Sequence, residues 1–218
     1  MAYLAKYKKS DFVHVSWKEY GRTLEKLLKN VESYIKKKKI QIDAVVPILR
    51  GGAFPGTFLT FKLNLLAMMP VQYKYFFVGK NIELRRIFSA PKLKFKLQKR
   101  PTFLLVENNH CFGITAQTAV NDLKKEFPGC RILYAADHID YSYQKIKGVD
   151  TIFYGKLTNE TRALNAEQAK KKGLNNKMFL FPWEQLKEEW TTVQGKQFGY
   201  NRIKEIIKGS ETKKIIKN

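Results

Sequence analysis

The sequence is short of cysteine, histidine and acid. Two cysteines, Cys111 and Cys130, and three histidines stand among 218 residues. Two cysteines cannot build a disulfide framework, and histidine partners at zinc-binding spacing are missing. The thiols are therefore read as reduced and the protein as intracellular, with the cytoplasm the expected location. No apolar run approaches the roughly 18 residues of a membrane span, so no membrane partner is expected. Met1 to Ser10 is Lys-rich and lacks an apolar signal core, which argues against secretion. Internal repeats, low-complexity linkers, zinc-finger spacing and aromatic RNA-binding signatures are also missing.

Acidic residues number 19 against 41 Lys and Arg, which leaves a formal net charge of +22. The excess is uneven: residues 71–101 carry nine basic side chains and one acidic, whereas 102–155 carry five basic and six acidic. The near-neutral stretches are also the most apolar, which points to a neutral core sheet wrapped in basic helices and loops. A charge of this size attracts polyanions or small phosphorylated ligands. Lys36 to Lys39 and Lys170 to Lys172 read either as solvated helix faces or as contacts to nucleic acid. Hydrophobic residues at 44% and aromatics at 13% suffice for a proper core and exclude a disordered chain. The length predicts one domain, with at most a small appendage.

Ser16 and Glu19 form a capping-box pattern, and Tyr20, Leu24, Leu27, Leu28, Val31 and Ile35 follow at helical spacing, predicting a helix to about Lys38. Ile42 to Ile48 reads as a buried strand, Leu49 to Gly52 as a tight turn, and Ala53 to Leu65 as a helix with Pro55 in its first turn. Val71 to Val78 alternates as a strand. The basic stretch 79–100 lacks a helical period, and Leu93, Phe95 and Leu97 suggest an excursion of two strands. Thr102 to Val106 is a second buried strand ending in Glu107, Asn108 to Gly113 a loop, and Thr115 the cap of a helix to about Phe127. Cys130 to Ala136 and Val149 to Tyr154 are further strands, and Tyr200 to Ile207 is a short helix in a basic tail. This alternation predicts an α/β fold: an open, mostly parallel sheet with helices on both faces. Such sheets bind ligands at the carboxyl ends of their strands.

Two turns lie there. At Arg50-Gly51-Gly52, adjacent glycines let backbone N–H groups converge on an anion, Arg50 adds a charged donor, and a helix begins at once. The same pattern also serves as a plain strand-to-helix turn. From Glu107 to Thr115, a carboxylate at a strand tip precedes Gly113, Ile114, Thr115 and Ala116, whose amides and hydroxyl make a second anion cradle. Together the pair suits a sugar bearing a diphosphate at one end and a phosphate at the other.

On these residues the chain resembles the type I phosphoribosyltransferase family over about residues 16 to 155. Val46-Pro47-Ile48-Leu49-Arg50-Gly51-Gly52 looks like the family's diphosphate loop. Phe103-Leu104-Leu105-Val106-Glu107-Asn108-Asn109-His110-Cys111-Phe112-Gly113-Ile114-Thr115 lines up with its phosphoribosyl-diphosphate motif. The resemblance implies a core over 1–155, a hood over the base at 156–195, a basic tail at 196–218, and a homodimer. It implies Arg50, Gly51, Gly52 and a magnesium ion on the leaving diphosphate, Glu107 on the metal and the ribose hydroxyls beside Asn108, and Gly113, Ile114, Thr115 and Ala116 on the 5′-phosphate. Arg85 or Arg86, on the segment where the family keeps a mobile loop, would close over the diphosphate or else stay solvated. Trp183, in Phe181-Pro182-Trp183-Glu184, would stack on a purine or pack as core. Asp137 and Asp140 would meet a base edge or cap a loop.

Three departures stand out. Asn108 replaces one acid of the family's pair, Cys111 replaces the acid that assists the base, and Phe112 replaces a threonine. They leave two readings: transfer of phosphoribosyl from phosphoribosyl diphosphate to a purine-like base, or a nucleotide sensor without turnover whose basic surface grips RNA or DNA.

Overall fold

The computed structural model describes residues 8–78, 81–91, 97–142, 145–187, 189 and 216–217. A seven-stranded sheet runs in the order β7-β6-β5-β2-β3-β4-β9, where β2 is Ala44–Leu49, β3 Val71–Val78, β4 Asn81–Phe88, β5 Thr102–His110, β6 Arg131–Asp140, β7 Thr151–Thr158 and β9 Ile216–Lys217. Among the described residues, β3 and β4 are the one antiparallel pair of strands. A second sheet of two short parallel strands joins β1 (Phe12–His14) to β8 (Met178–Leu180).

Alternation along the central strands splits the core by face. Ala44, Val46, Phe103, Leu105, Ile132 and Tyr134 point to one side and pack on α3 (Ile114–Glu126) through Ala116, Ala119, Val120 and Leu123. Val45, Leu104, Val106, Leu133 and Ala135 point to the other, under Leu27 and Val31 of α1 (Trp17–Lys38) and Leu59 of α2 (Ala53–Lys62). Both faces are therefore covered, as continuous apolar strands require. A short helix, α4 (Ala166–Lys171), precedes β8. The Ser16–Glu19 capping box forms with both reciprocal hydrogen bonds, and α1 ends at Lys38 as its spacing dictates.

Four expectations need correction. β5 and β6 do not stop at Glu107 and Ala136 but run on to His110 and Asp140, in continuous parallel register through Asn109–His138. The polar residues stay in the ladder because their side chains find buried partners. Gly113 rather than Thr115 caps α3: its left-handed backbone (φ 70°) makes the turn, and the Gln117 amide donates to its carbonyl at 2.8 Å. Within 79–100, β4 precedes the Leu93-Phe95-Leu97 alternation; Leu93 and Phe95 lie outside the described residues, as does the Tyr200 to Ile207 helix. Finally, Arg85 and Arg86 sit in β4 and are already engaged. Arg85 pairs with Glu83 at 2.7 Å and lies 4.8 Å from the centre of the Phe76 ring, while Arg86 pairs with Asp122 and Glu126 on α3. Glu126 lies about 16 Å along that helix from Thr115 at 1.5 Å per residue, so Arg86 is anchored far from the strand ends.

Candidate functional site

Parallel pairing of β2 with β5 carries both turns to the same edge of the sheet. The Leu49–Arg50 peptide is cis, Arg50 is exposed, and the Ala53 amide donates to the Arg50 carbonyl at 3.0 Å. The turn packs against the end of β5. A Cβ on Gly51 would come within 2.9 Å of the Asn108 Cβ, and one on Gly52 within 2.5 Å of the Val106 carbonyl. Side chains are excluded at 51 and 52 because the two strand ends touch there.

Beside this contact lies a cavity of about 260 Å³. Polar groups on its lining include Glu107, Asn109 and His110 of β5 with Cys111 directly after it, Thr115, Glu160 after β7, and Glu184 and Glu189. Phe12, Phe112, Phe179 and Phe181 supply aromatic walls, and Tyr75 of β3 closes another side. The amides of Ile114, Thr115 and Ala116 precede the first intrahelical hydrogen bond of α3 and so retain their donor capacity. The Thr115 hydroxyl donates to the Tyr75 hydroxyl at 3.4 Å. Ala116 contributes only backbone, since its side chain is buried in the core. The structure thus gathers Glu107, Cys111, Gly113, Ile114 and Thr115 around one opening. Arg50, Gly51 and Gly52 stand on the adjoining strand end, outside the lining.

Glu107 is held from behind. The Tyr134 hydroxyl donates to Glu107 Oε2 at 2.6 Å and lies 2.8 Å from His110 Nδ1. Because the single hydroxyl proton goes to the carboxylate, Nδ1 carries the proton that the hydroxyl oxygen accepts. The His110 ring in turn fills the space beside Gly113, where a Cβ would meet it at 2.8 Å. Burial beside Glu107 pushes the Tyr134 phenol well above its ordinary range, so it remains a donor. Tyr134→Phe is expected to cost about 1–2 kcal/mol of stability by removing the hydroxyl that bridges buried His110 and half-buried Glu107, read by chemical denaturation; an unchanged midpoint would mean the relay is absent.

Asn108 faces inward. With its amide nitrogen donating, it reaches Asp137 Oδ2 at 2.6 Å, and Asp137 also lies 3.2 Å from His138 Nδ1. Asp137 and Asp140 are both fully buried in β6. Asp140 accepts from the Thr161 amide and hydroxyl and the Ser142 amide, so it secures the chain after β7 and meets no base. Trp183 is packed too: it stacks on Phe54 at 4.2 Å between ring centres and crowds against Tyr20 and Phe181. An apolar neighbourhood built from α1, α2 and the segment after β8 claims that ring.

The residue that sequence reading missed is Glu160. It lies on the cavity while only 2% exposed, accepts from Asn109 Nδ2 at 2.9 Å, and receives the Cys111 thiol at 3.3 Å. Burial pushes its carboxyl up to about 7. Its signal was the polar run Thr158-Asn159-Glu160-Thr161, which begins on the last residue of β7 and continues past its carboxyl end.

Among the described residues no group of three or more His, Cys, Asp or Glu side chains is arranged to hold a metal. Glu107, three residues before the end of β5, offers one carboxylate to the cavity, which fits magnesium only where substrate phosphates and water complete the shell.

The chain is an α/β protein with an open, mostly parallel sheet, and its two glycine turns lie on neighbouring strand ends, the edge at which such sheets generally bind ligands. Comparison with solved structures names the fold. The chain is similar to a purine phosphoribosyltransferase from Pyrococcus horikoshii (16% identity, 80% of this chain and 95% of that one, TM-score 0.57). It is similar to a Helicobacter pylori xanthine-guanine-hypoxanthine phosphoribosyltransferase (17%, 83% and 99%, TM-score 0.59). It is also similar to a hypothetical protein from Neisseria gonorrhoeae with bound ppGpp (14%, 87% and 96%, TM-score 0.60). No protein-family model and no curated protein matches the sequence. The chain has the type I phosphoribosyltransferase fold. Among the described residues no helix is long and apolar enough to cross a membrane.

Proposed function

We propose that this protein binds phosphoribosyl diphosphate, or a nucleotide of similar shape, and transfers the phosphoribosyl group to a purine-like base with release of diphosphate. The observation that carries the reading is the contact of Gly51 with Asn108, which seats one anion turn against the strand that roots the other. Two of the compared structures, described as purine and as xanthine-guanine-hypoxanthine phosphoribosyltransferases, point the same way.

In this reading Arg50 and the Gly51 and Gly52 amides take the diphosphate, and the amides following Gly113 take the 5′-phosphate. Glu107, oriented by Tyr134, accepts from the ribose hydroxyls. Magnesium would neutralise the leaving diphosphate beside Glu107. The lining carries Glu107, Glu160, Glu184 and Glu189, and includes no Lys or Arg among the described residues, so a cation arriving with the substrate offsets the repulsion. Arg50→Ala is expected to weaken phosphoribosyl diphosphate binding about 10- to 100-fold by removing a charge-assisted contact. Being exposed, Arg50 should leave the unfolding midpoint nearly unchanged when lost.

A diphosphate-release assay over a panel of bases tests turnover. Release with at least one purine supports the transferase. The second reading, a nucleotide-binding protein without turnover, is favoured by Asn108 facing Asp137 and by the ion pairs that occupy Arg85 and Arg86. The comparison structure with bound ppGpp fits it as well. Binding without release for every base would select it. A homodimer and contact of the basic surface with RNA or DNA remain part of the proposal; retention of short RNA insensitive to salt would exclude polyanion contact.

A further inference from the structure

The lining of the cavity divides into aromatic walls and carboxylates. Flat walls of Phe12, Phe112, Phe179 and Phe181 suit a planar heterocycle. The charged lining is acidic, so the edge presented to it must donate hydrogen bonds, and a base bearing its own carboxylate would be repelled. Among these carboxylates Glu160 is the deepest, and its Oε2 is approached by Asn109 Nδ2 and by the Cys111 thiol.

We infer that Glu160 is the proton acceptor for an N–H of the base bound in this cavity, and that it selects neutral N–H heterocycles over carboxylated ones. The inference rests on the transferase reading for its chemical step. There, the base nitrogen forms a bond to the anomeric carbon as the C–O bond to diphosphate breaks. The electron pair leaves with diphosphate, and the proton shed by the nitrogen passes to the Glu160 carboxylate.

The surroundings give this carboxyl the right character. Burial is the main force raising it, and Asp140 on β6 adds to the rise. The Asn109 and Cys111 donors and the Phe179 amide of β8 oppose it. Glu107 and Glu184 line the same cavity. The net result, about 7, lets the group accept a proton and release it near neutral pH. Cys111 serves as its hydrogen-bond donor, since a thiol at 3.3 Å supplies the carboxylate with a proton contact rather than competing for the base.

The test uses the full-length protein labelled with 13C at glutamate carboxyls. One resonance should titrate near pH 7 and be missing in Glu160→Gln. Adding adenine, guanine or hypoxanthine to protein with ribose 5-phosphate should lower that titration by about one pH unit, because a donated N–H favours the charged carboxylate. Orotate should leave it unchanged. If no purine moves the resonance, or if orotate moves it equally, the inference is overturned. Calorimetry with phosphoribosyl diphosphate and magnesium reports separately on the parent reading: loss of that binding would sink the transferase while the carboxyl titration still decides the role of Glu160. Where release occurs, Glu160→Gln should cut kcat at least 100-fold, abolish the fall in rate below pH 7, and leave phosphoribosyl diphosphate affinity within threefold. An unchanged pH profile would also overturn the assignment.

Discussion

Gly52→Ala should lower stability by about 3 kcal/mol and abolish tight binding of phosphoribosyl diphosphate together. The new methyl would sit 2.5 Å from the Val106 carbonyl, 2.6 Å from the Ile48 carbonyl and 2.9 Å from the Ile48 amide nitrogen. All three are backbone atoms of β2 and β5, so no side-chain rotation relieves the clash. Either the start of α2 lifts from the sheet or the two strands part, and each alternative displaces Arg50 and the Gly51 amide. For a chain of this size the melting temperature should fall by roughly 6–12 °C. Gly21→Ala is the control. Nothing lies within 4 Å of a Cβ there, and the residue is inside α1, so alanine should be neutral or stabilising by up to about 1 kcal/mol. Equal effects at both positions would mean that the turn does not press against β5.

Asn108→Asp should restore the acid that the family resemblance leads one to expect, and should damage the protein. The amide donates to Asp137 at 2.6 Å, inside a strand pair where Asp137 is fully buried. A second carboxylate would replace a donor by a like charge. Burial already pushes Asp137 above the ordinary carboxylate range, and an adjacent acid would push one member of the pair higher still. The expected loss is about 3 kcal/mol at pH 8, where both groups would have to be charged. The sign with pH follows from proton counting. A raised folded-state pKa means the native state binds more protons than the unfolded chain above pH 4, so stability falls as pH rises through that window. The variant should therefore recover much of its deficit near pH 5, when one proton is shared. Denaturation midpoints for wild type and variant across this range test it; a deficit that is constant with pH would show that Asn108 does not face Asp137.

The same contact explains which parts of the molecule the sequence discloses. Apolar runs such as Ala44 to Ile48 and Thr102 to Val106 announce buried parallel strands, and Ser16 and Glu19 announce the start of α1. Strand ends were harder to read, because hydropathy stops at Val106 and Ala136 while the backbone ladder does not. Asn108 bonding to Asp137, His110 to Tyr134 and Asp140 to Thr161 replace apolar packing with satisfied polar pairs, and only a folded neighbour reveals such pairing. The glycine turns were legible as anion cradles because they are local. Glu160 was not, since its depth comes from β5, β6 and β8 converging on the residues after β7. Arg86 and Trp183 each left two readings open in the sequence, and only the folded neighbours show that Glu126 pairs with the one and Phe54 stacks on the other.

The most direct measurement is calorimetric titration, in magnesium, with phosphoribosyl diphosphate and with its two halves, ribose 5-phosphate and inorganic diphosphate, on wild type and Arg50→Ala. One molecule spanning both turns gains from linkage, so phosphoribosyl diphosphate should bind at least 100-fold more tightly than either half. Arg50→Ala should weaken it and diphosphate while sparing ribose 5-phosphate. Binding of the intact compound no tighter than ribose 5-phosphate, and indifferent to Arg50, would contradict the claim that the two strand ends hold a single ligand.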